Sequence, residues 1–274
     1  MRNFKFNPAA RIMHVGTLAL LVSLAALTGA YAQDAAEGPG APTPSAKAAA
    51  PIDLTGYWES MITYEWEIRM LTPRPGDHDG VPLKPAAMQI MNAWDPAKDT
   101  AAGQQCKSYG APLLMRLPER LHITWQDDQT LKLETDAGEQ TRLFRFTASA
   151  AAEHGPRTWQ GYSLAEWHRY QVGARGSPGS DQFNPGRTQG GELKVITTNL
   201  KAGYIRKNGI PYSESTKLLE YYDVIQDGSG SRLIMLTSDI TDPVYLYYPY
   251  ISTSQFLQQP SAAGWEPSAC SAIW

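Results

Sequence analysis

From residue 120 onward the chain alternates between apolar and polar positions. Leu121, Ile123 and Trp125 stand between His122, Thr124 and Gln126, and Leu131 and Leu133 flank Lys132 ahead of Glu134. This period-two spacing belongs to strands with one buried face. Asp127-Asp128-Gln129 and Asp136-Ala137-Gly138 are turn chemistry, and the second leads into a third strand at residues 140–146, so the segment reads as an antiparallel meander. A first strand is expected at 55–61, and later ones at 193–200, 217–226, 232–240 and 244–257, with Asp227-Gly228-Ser229-Gly230 as a hairpin loop. Helical spacing occurs at residues 82–94, where Ala87, Ile90, Met91 and Trp94 fall at i, i+3, i+4 and i+7 before Asp95-Pro96 stops the run. Residues 147–192, rich in Gly and Pro, read as one long excursion with a small helix at 164–170. So many meandering strands with one excursion predict a mainly β fold, an antiparallel β-barrel with a short helix and a long covering loop.

The first fifty residues follow another pattern. Arg2, Lys5 and Arg11 precede an apolar run from Val15 to Leu27 and then Ala30-Tyr31-Ala32, the layout of a signal peptide cleaved near Ala32. That run is too short to span a bilayer, which needs about 20 apolar residues. Residues 33–51, mostly Ala, Pro and Gly, have almost nothing to bury and read as a disordered tether. The remaining residues, 52–274, are ample for a single β-barrel domain. The expectation is a periplasmic or secreted protein without stable membrane insertion. Cys106 and Cys270 would then meet an oxidising compartment, and one disulfide between them is the preferred reading over a reactive thiol or metal pair. Losing three basic residues with the leader takes the formal charge from −3 to −6, and no basic block occurs, which argues against a nucleic-acid partner.

Asp53-Leu54-Thr55-Gly56-Tyr57-Trp58 places Gly-x-Trp at the first strand and resembles the opening motif of lipocalins and other calycin barrels, in which that Trp closes one end. Thr241-Asp242-Pro243-Val244-Tyr245 resembles the second lipocalin motif, Thr-Asp-x-x-Tyr. A third element, a late-strand Arg stacked on the Trp, has no expected counterpart, because no Arg or Lys follows Arg232. The resemblance implies a lipocalin-like barrel. Over residues 52–270 the chain also resembles a group of uncharacterised secreted proteobacterial proteins, through Trp94-Asp95-Pro96, Arg120-Leu121-His122-Ile123-Thr124-Trp125, Thr135-Asp136-Ala137-Gly138, Trp159-Gln160-Gly161-Tyr162-Ser163, Thr197-Thr198-Asn199, Arg206-Lys207-Asn208-Gly209 and Thr241-Asp242-Pro243. This implies a shared fold and export and carries over no catalytic residue.

Candidate chemistry is sparse. Gly161-Tyr162-Ser163-Leu164-Ala165 approaches the nucleophile elbow G-x-S-x-G, but Ser163 with Glu166 three residues on is better read as a helix capping box. His78, His122, His154 and His168 have no metal-site spacing, and no metal or cofactor is expected. His122 would face the lumen as an acid or base only if Leu121, Ile123 and Trp125 pack outward; the preferred reading turns it outward. Alternation through Glu65-Trp66-Glu67-Ile68-Arg69 would put Glu65, Glu67 and Arg69 on one strand face, at a barrel mouth or in solvent. Residues 203–212 form a basic aromatic loop. There Arg206 and Lys207 could hold a carboxylate and Tyr204 or Tyr212 donate a proton, although a solvated hairpin turning at Asn208-Gly209 is preferred.

These readings predict a hydrophobic or aromatic small molecule held in the lumen, with Trp66, Trp125, Trp159, Tyr162, Arg206 and Tyr212 as ligand contacts. The alternative is a cofactor-independent lyase, isomerase or hydratase drawing on His122, Arg69, Tyr204 and Lys207; a structural envelope protein comes third. The residues do not choose between binder and enzyme, and leave the oligomeric state open.

Overall fold

The computed structural model describes residues 43–169 and 190–273. The expected leader and residues 33–42 of the tether lie outside them. The strands are β1 (Gly56–Met61), β2 (Arg120–Asp127), β3 (Thr130–Thr135), β4 (Thr141–Arg145), β5 (Tyr162–Arg169), β6 (Gly191–Thr198), β7 (Gly203–Tyr204), β8 (Pro211–Tyr212), β9 (Lys217–Gln226), β10 (Arg232–Thr241) and β11 (Tyr250–Gln259). Nine of them close a barrel in the order β1-β11-β10-β9-β6-β5-β4-β3-β2, with β2 pairing back to β1; β7 and β8 form a separate hairpin. All barrel pairs are antiparallel except β4 and β5, whose parallel register is only Phe144 to Ser163 and Arg145 to Leu164. The short helices are α1 (Trp66–Arg69), α2 (Pro85–Asn92), α3 (Pro96–Ala101), α4 (Ala111–Leu114) and α5 (Ala150–Glu153). No helix among the described residues is long and apolar enough to cross a membrane.

Strand parity sets three tiers along the barrel. At one end Trp58, Leu121, Ile123, Leu131, Leu133, Phe144, Leu193, Val195, Ile234, Leu236 and Phe256 point inward and are buried. Full burial of each such aliphatic or aromatic side chain contributes about 1.5–3 kcal/mol. The same inward series then turns polar, through Arg142, Ser163, Thr197, Glu220, Ser238, Ser252 and Ser254, all buried. Beyond that belt Leu218, Ile240 and Tyr250 join Val81, Leu83, Ala87, Met91, Ile205, Ile210 and Tyr212 in a second apolar cluster, which seats α2 and the β7–β8 hairpin as a cover.

Several expectations are corrected here. Residues 164–169 belong to β5, not to a helix, and Ser163 caps nothing: Ser163 and Ala165 are buried while Leu164 and Glu166 are exposed, a period of two. A capping box indicates a helix only where an apolar stripe of helical period follows it. Among the described residues the segment between β1 and β2 covers one end of the barrel; of the expected excursion at 147–192, residues 162–169 form β5 and 191–192 open β6, and residues 170–189 lie outside the described residues. Residues 66–69 are helical, with Glu65 as their N-cap at φ +53°, and β11 starts at Tyr250 because the Asp242 carboxylate accepts from the backbone N–H groups of Val244 (2.8 Å) and Tyr245 (3.1 Å) and holds a turn there. The tether reading stops short of residue 43. Ala46 is buried, its carbonyl accepts from Trp167 Nε1 (2.8 Å), and the Lys47 N–H bonds the Asp128 carbonyl (3.1 Å).

The missing Trp partner also has a counterpart. Arg232, at the start of β10, lies 5.6 Å over the Trp58 ring, donates to the Asp53 carbonyl (2.5 Å) and to Gln258 Oε1 (3.2 Å), and Trp58 Nε1 donates to the Leu54 carbonyl (2.9 Å). The expectation of no such Arg is corrected: Arg232 is the last basic residue of the chain, and the β9–β10 hairpin brings it to the end where Trp58 is buried. The expected disulfide is present: Cys106 and Cys270 are bonded, with Cα atoms 5.1 Å apart.

Candidate functional site

Two regions of the barrel carry unusual chemistry. The first is the apolar end, where inward parity on one side of the barrel delivers Trp125 (β2), Phe146 (after β4) and Trp167 (β5). Their rings stand 5.7 Å (Trp125–Phe146), 5.2 Å (Phe146–Trp167) and 6.5 Å (Trp125–Trp167) apart. Each is only half-buried. Beside them the barrel wall is incomplete. Because β5 runs parallel to β4, the chain must first travel back outside the barrel. The two strands then share two residue pairs before β4 ends, while β5 continues to Arg169 against β6 alone. The resulting cleft, about 290 Å³, is lined by Phe146, Ala148, Leu164, Ala165 and Ile196, with Glu166 and Lys194 also on its wall. A second, open groove of about 790 Å³ runs between residues 47–56 and β2 and reaches Trp125 from the other side.

The second region is the polar belt. Arg142 meets Glu220 in a fork, Nη1 to Oε1 at 2.8 Å and Nη2 to Oε2 at 2.5 Å, with both side chains wholly buried. Thr197, Ser163 and Tyr222 complete the network: Arg142 Nη2 donates to Thr197 Oγ1 (3.2 Å), which lies 2.7 Å from Ser163 Oγ, and the Tyr222 hydroxyl donates to Glu220 Oε1 (3.0 Å). Burial opposes the Arg142 charge, but Glu220 and Tyr222 hold its pKa above the ordinary value. Next to it lie Arg69, whose Nε donates to the Arg116 carbonyl (2.9 Å), and Arg116, paired with Glu65 at 2.5 Å.

Glu119 is the outlier of this belt. It is buried, and neither side-chain oxygen has a hydrogen-bond partner. Burial, then the charge of Asp136, push its pKa well above the ordinary carboxylate value, against the opposing charges of Arg142 and Arg69. A raised folded-state value makes stability greatest below the unfolded value near 4.5 and erodes it as pH rises toward the folded value. Glu119→Gln is therefore expected to stabilise the protein at pH 7 by about 1–3 kcal/mol and to change little at pH 4. Urea unfolding at the two pH values checks this; equal effects at both would contradict it.

The residues singled out in the sequence scatter. His122 lies on the outer barrel face, stacked on Tyr57 (ring centroids 4.2 Å apart, planes at 3°) with Nδ1 3.5 Å from Glu134 Oε2, which takes it out of the lumen. Tyr204 donates to Asp99 Oδ2 (2.9 Å), and burial, then that carboxylate, raise its pKa. Trp66 is exposed on α1. Trp159 is half-buried and carries the Lys201 ammonium 4.4 Å from its ring centre. Tyr162 is buried and its hydroxyl accepts the Ser149 N–H (2.8 Å), and Tyr212 is buried with an unpaired hydroxyl.

The expectation of a solvated hairpin at 203–212 is corrected in part. The turn at Asn208-Gly209 is there, with Gly209 at φ +82° and no room for a Cβ against Trp94, but Arg206, Lys207 and Asn208 are buried beneath residues 74–79 and the C-terminal tail. Arg69, Arg206 and Lys207 are brought together around one small cavity. Arg116, Glu119, Arg142, Glu220, Phe146 and Trp167 were missed. Parity could have found two of them, since Arg142 alternates inward with Phe144 and Glu220 with Tyr222.

Compared with protein-family models, curated proteins and solved structures, the chain matches none.

Proposed function

We propose that the protein is a binding barrel for a hydrophobic or aromatic small molecule, received at its apolar end through the seam between β4 and β5. The observation that carries this reading is the cleft of about 290 Å³ lined mainly by apolar side chains and opening beside the half-buried Trp125, Phe146 and Trp167. Its size is at the lower end of small-molecule sites, which run about 300–1,000 Å³. Flat rings reward a flat or apolar guest, and Glu166 and Lys194 could orient a polar substituent on it. The disulfide is compatible with an exported carrier.

The acid/base alternative rests on one observation, that Arg69 and Lys207 line one cavity and burial draws the Lys207 amine down to about 7. His122 and Tyr204 stand elsewhere, so binding is the better supported function.

The test is native mass spectrometry of the protein from its own source, then calorimetric titration of stripped protein with naphthalene-class compounds. A retained, unconverted apolar molecule and measurable affinity are expected; an empty protein that binds none of them refutes the reading, and a converted compound replaces it with the enzyme. Leu164→Lys, at an exposed seam position, is expected to weaken binding at least about tenfold, roughly 1.4 kcal/mol, with an unchanged unfolding midpoint. Unaltered affinity would remove the seam from the site.

A further inference from the structure

Between α1, residues 77–79 and the β7–β8 hairpin lies a groove that differs in kind from the apolar cleft at the seam. Its volume is about 350 Å³, inside the range of small-molecule sites. Glu65, Glu67, Asp77 and Asp79 line it, Trp66 and Ile68 form its apolar wall, and Arg206 is its innermost member. The hairpin fixes this arrangement through the backbone. The Asn208 amide donates to the Arg74 (3.0 Å) and Asp77 (2.7 Å) carbonyls, and Arg206 Nη2 donates to the Asp79 carbonyl (2.7 Å). Those donors are thus taken by carbonyls and leave the carboxylates of the same segment unneutralised.

The groove needs both signs of charge from a guest. Of its four carboxylates only Glu65 has an ion-pair partner among the described residues, Arg116 at 2.5 Å. Arg206 is 2% exposed, and its Nε and Nη1 have no hydrogen-bond partner there. A buried guanidinium with two idle nitrogens calls for an acceptor, because it has lost its hydration without replacement. Glu67, Asp77 and Asp79 against one guanidinium leave an excess of two negative charges among the lining groups. Among the described residues no three acidic groups stand close enough to share a metal ion, so the negative charge is spread out, as an extended organic cation requires. Trp66 is 56% exposed and offers its ring to such a cation.

We propose that this groove binds a free basic amino acid of the arginine or lysine type. Its carboxylate accepts the idle N–H groups of Arg206, and charge-assisted bonds of that kind are the strong ones. Its α-ammonium and side-chain cation pair with Glu67, Asp77 and Asp79, and its methylene chain lies along Trp66 and Ile68. One anionic and two cationic groups on the guest match the one guanidinium and three uncommitted carboxylates of the site. The groove shares no residue with the seam cleft, so the proposal stands or falls independently of the apolar ligand.

Calorimetric titration of the full protein with L-arginine, L-lysine, agmatine and L-citrulline at one ionic strength is the first test. Saturable binding of L-arginine or L-lysine at one site is expected. Agmatine, which lacks the carboxylate, and L-citrulline, which lacks the side-chain charge, are each expected to bind at least about tenfold more weakly than L-arginine. No binding of either basic amino acid overturns the proposal, and so does agmatine binding as tightly as L-arginine, which would reduce the groove to an acidic surface. Glu67→Gln/Asp79→Asn, at exposed positions, is expected to weaken L-arginine at least about tenfold with an unchanged unfolding midpoint of the ligand-free protein; full affinity in that variant counts against the site. A crystal structure with L-arginine needs no variant: its carboxylate is expected within hydrogen-bond distance of Arg206, and a ligand bound elsewhere overturns the proposal.

Discussion

Replacing Glu220 by Gln is expected to destabilise the protein by about 3–5 kcal/mol, the largest loss predicted for any single side chain here. The substitution leaves the Arg142 guanidinium charged, wholly buried and without its forked partner. Thr197 and Tyr222 are neutral and cannot replace the lost charge. The same reasoning makes Arg142→Met comparably damaging, since Glu220 is then the stranded ion. The double variant Arg142→Met/Glu220→Leu, which removes both charges and retains volume, is expected to be less destabilised than either single one, because an apolar pair fills such a site at little cost. Urea midpoints of the four proteins form the cycle that measures the coupling. A single-variant loss under about 1 kcal/mol, the range of exposed ion pairs, would contradict a dry belt at the centre of the barrel.

Removing the disulfide by the double change Cys106→Ser/Cys270→Ser is expected to cost about 2–5 kcal/mol, lowering the thermal midpoint by roughly 5–15 °C. The bond closes a loop of 164 residues, so it restricts a long stretch of the unfolded chain. It also has a local effect. Cys270 precedes Ser271, whose N–H donates to the Tyr109 hydroxyl (3.3 Å) and whose carbonyl accepts from Lys207. Freeing the tail therefore uncovers the Lys207 amine, and its modification by an amine-reactive reagent at pH 8, followed by peptide mass mapping, is expected to rise in the variant. A reagent that reaches Lys207 equally in both proteins would show that the tail does not seal it.

Strand positions were legible where parity and turn chemistry agreed. The β2–β3–β4 meander and the hairpin at 227–230 have both signals, and β9 matches its expected bounds. They were illegible where one signal served two structures. Ser163 and Glu166 match a capping box and equally two positions of a strand, and only the burial of Ser163 and Ala165 against exposed Leu164 and Glu166 decides. The site suffered from a different blindness. Basic residues near a turn ordinarily face solvent, so Arg206 and Lys207 gave no sign that residues 74–79 and the C-terminal tail would close over them. Arg232 could be found over Trp58 only by knowing which end of the barrel the β9–β10 hairpin reaches.

The seam between β4 and β5 has a further consequence for the protein in crowded solution. From Ala165 to Arg169, β5 has no strand beside it on its β4 flank among the described residues. An open flank of that kind is a template on which a strand from another molecule can grow. The outward positions there include Glu166 and His168, and Glu166 is tied to Lys194 (2.6 Å) and to His168 (3.1 Å). A foreign strand docking on this flank must strip water from the Glu166–Lys194 ion pair, which makes aggregation costly where the wall stands open. The rim charges thus guard against fibre growth while the apolar cleft behind them stays accessible.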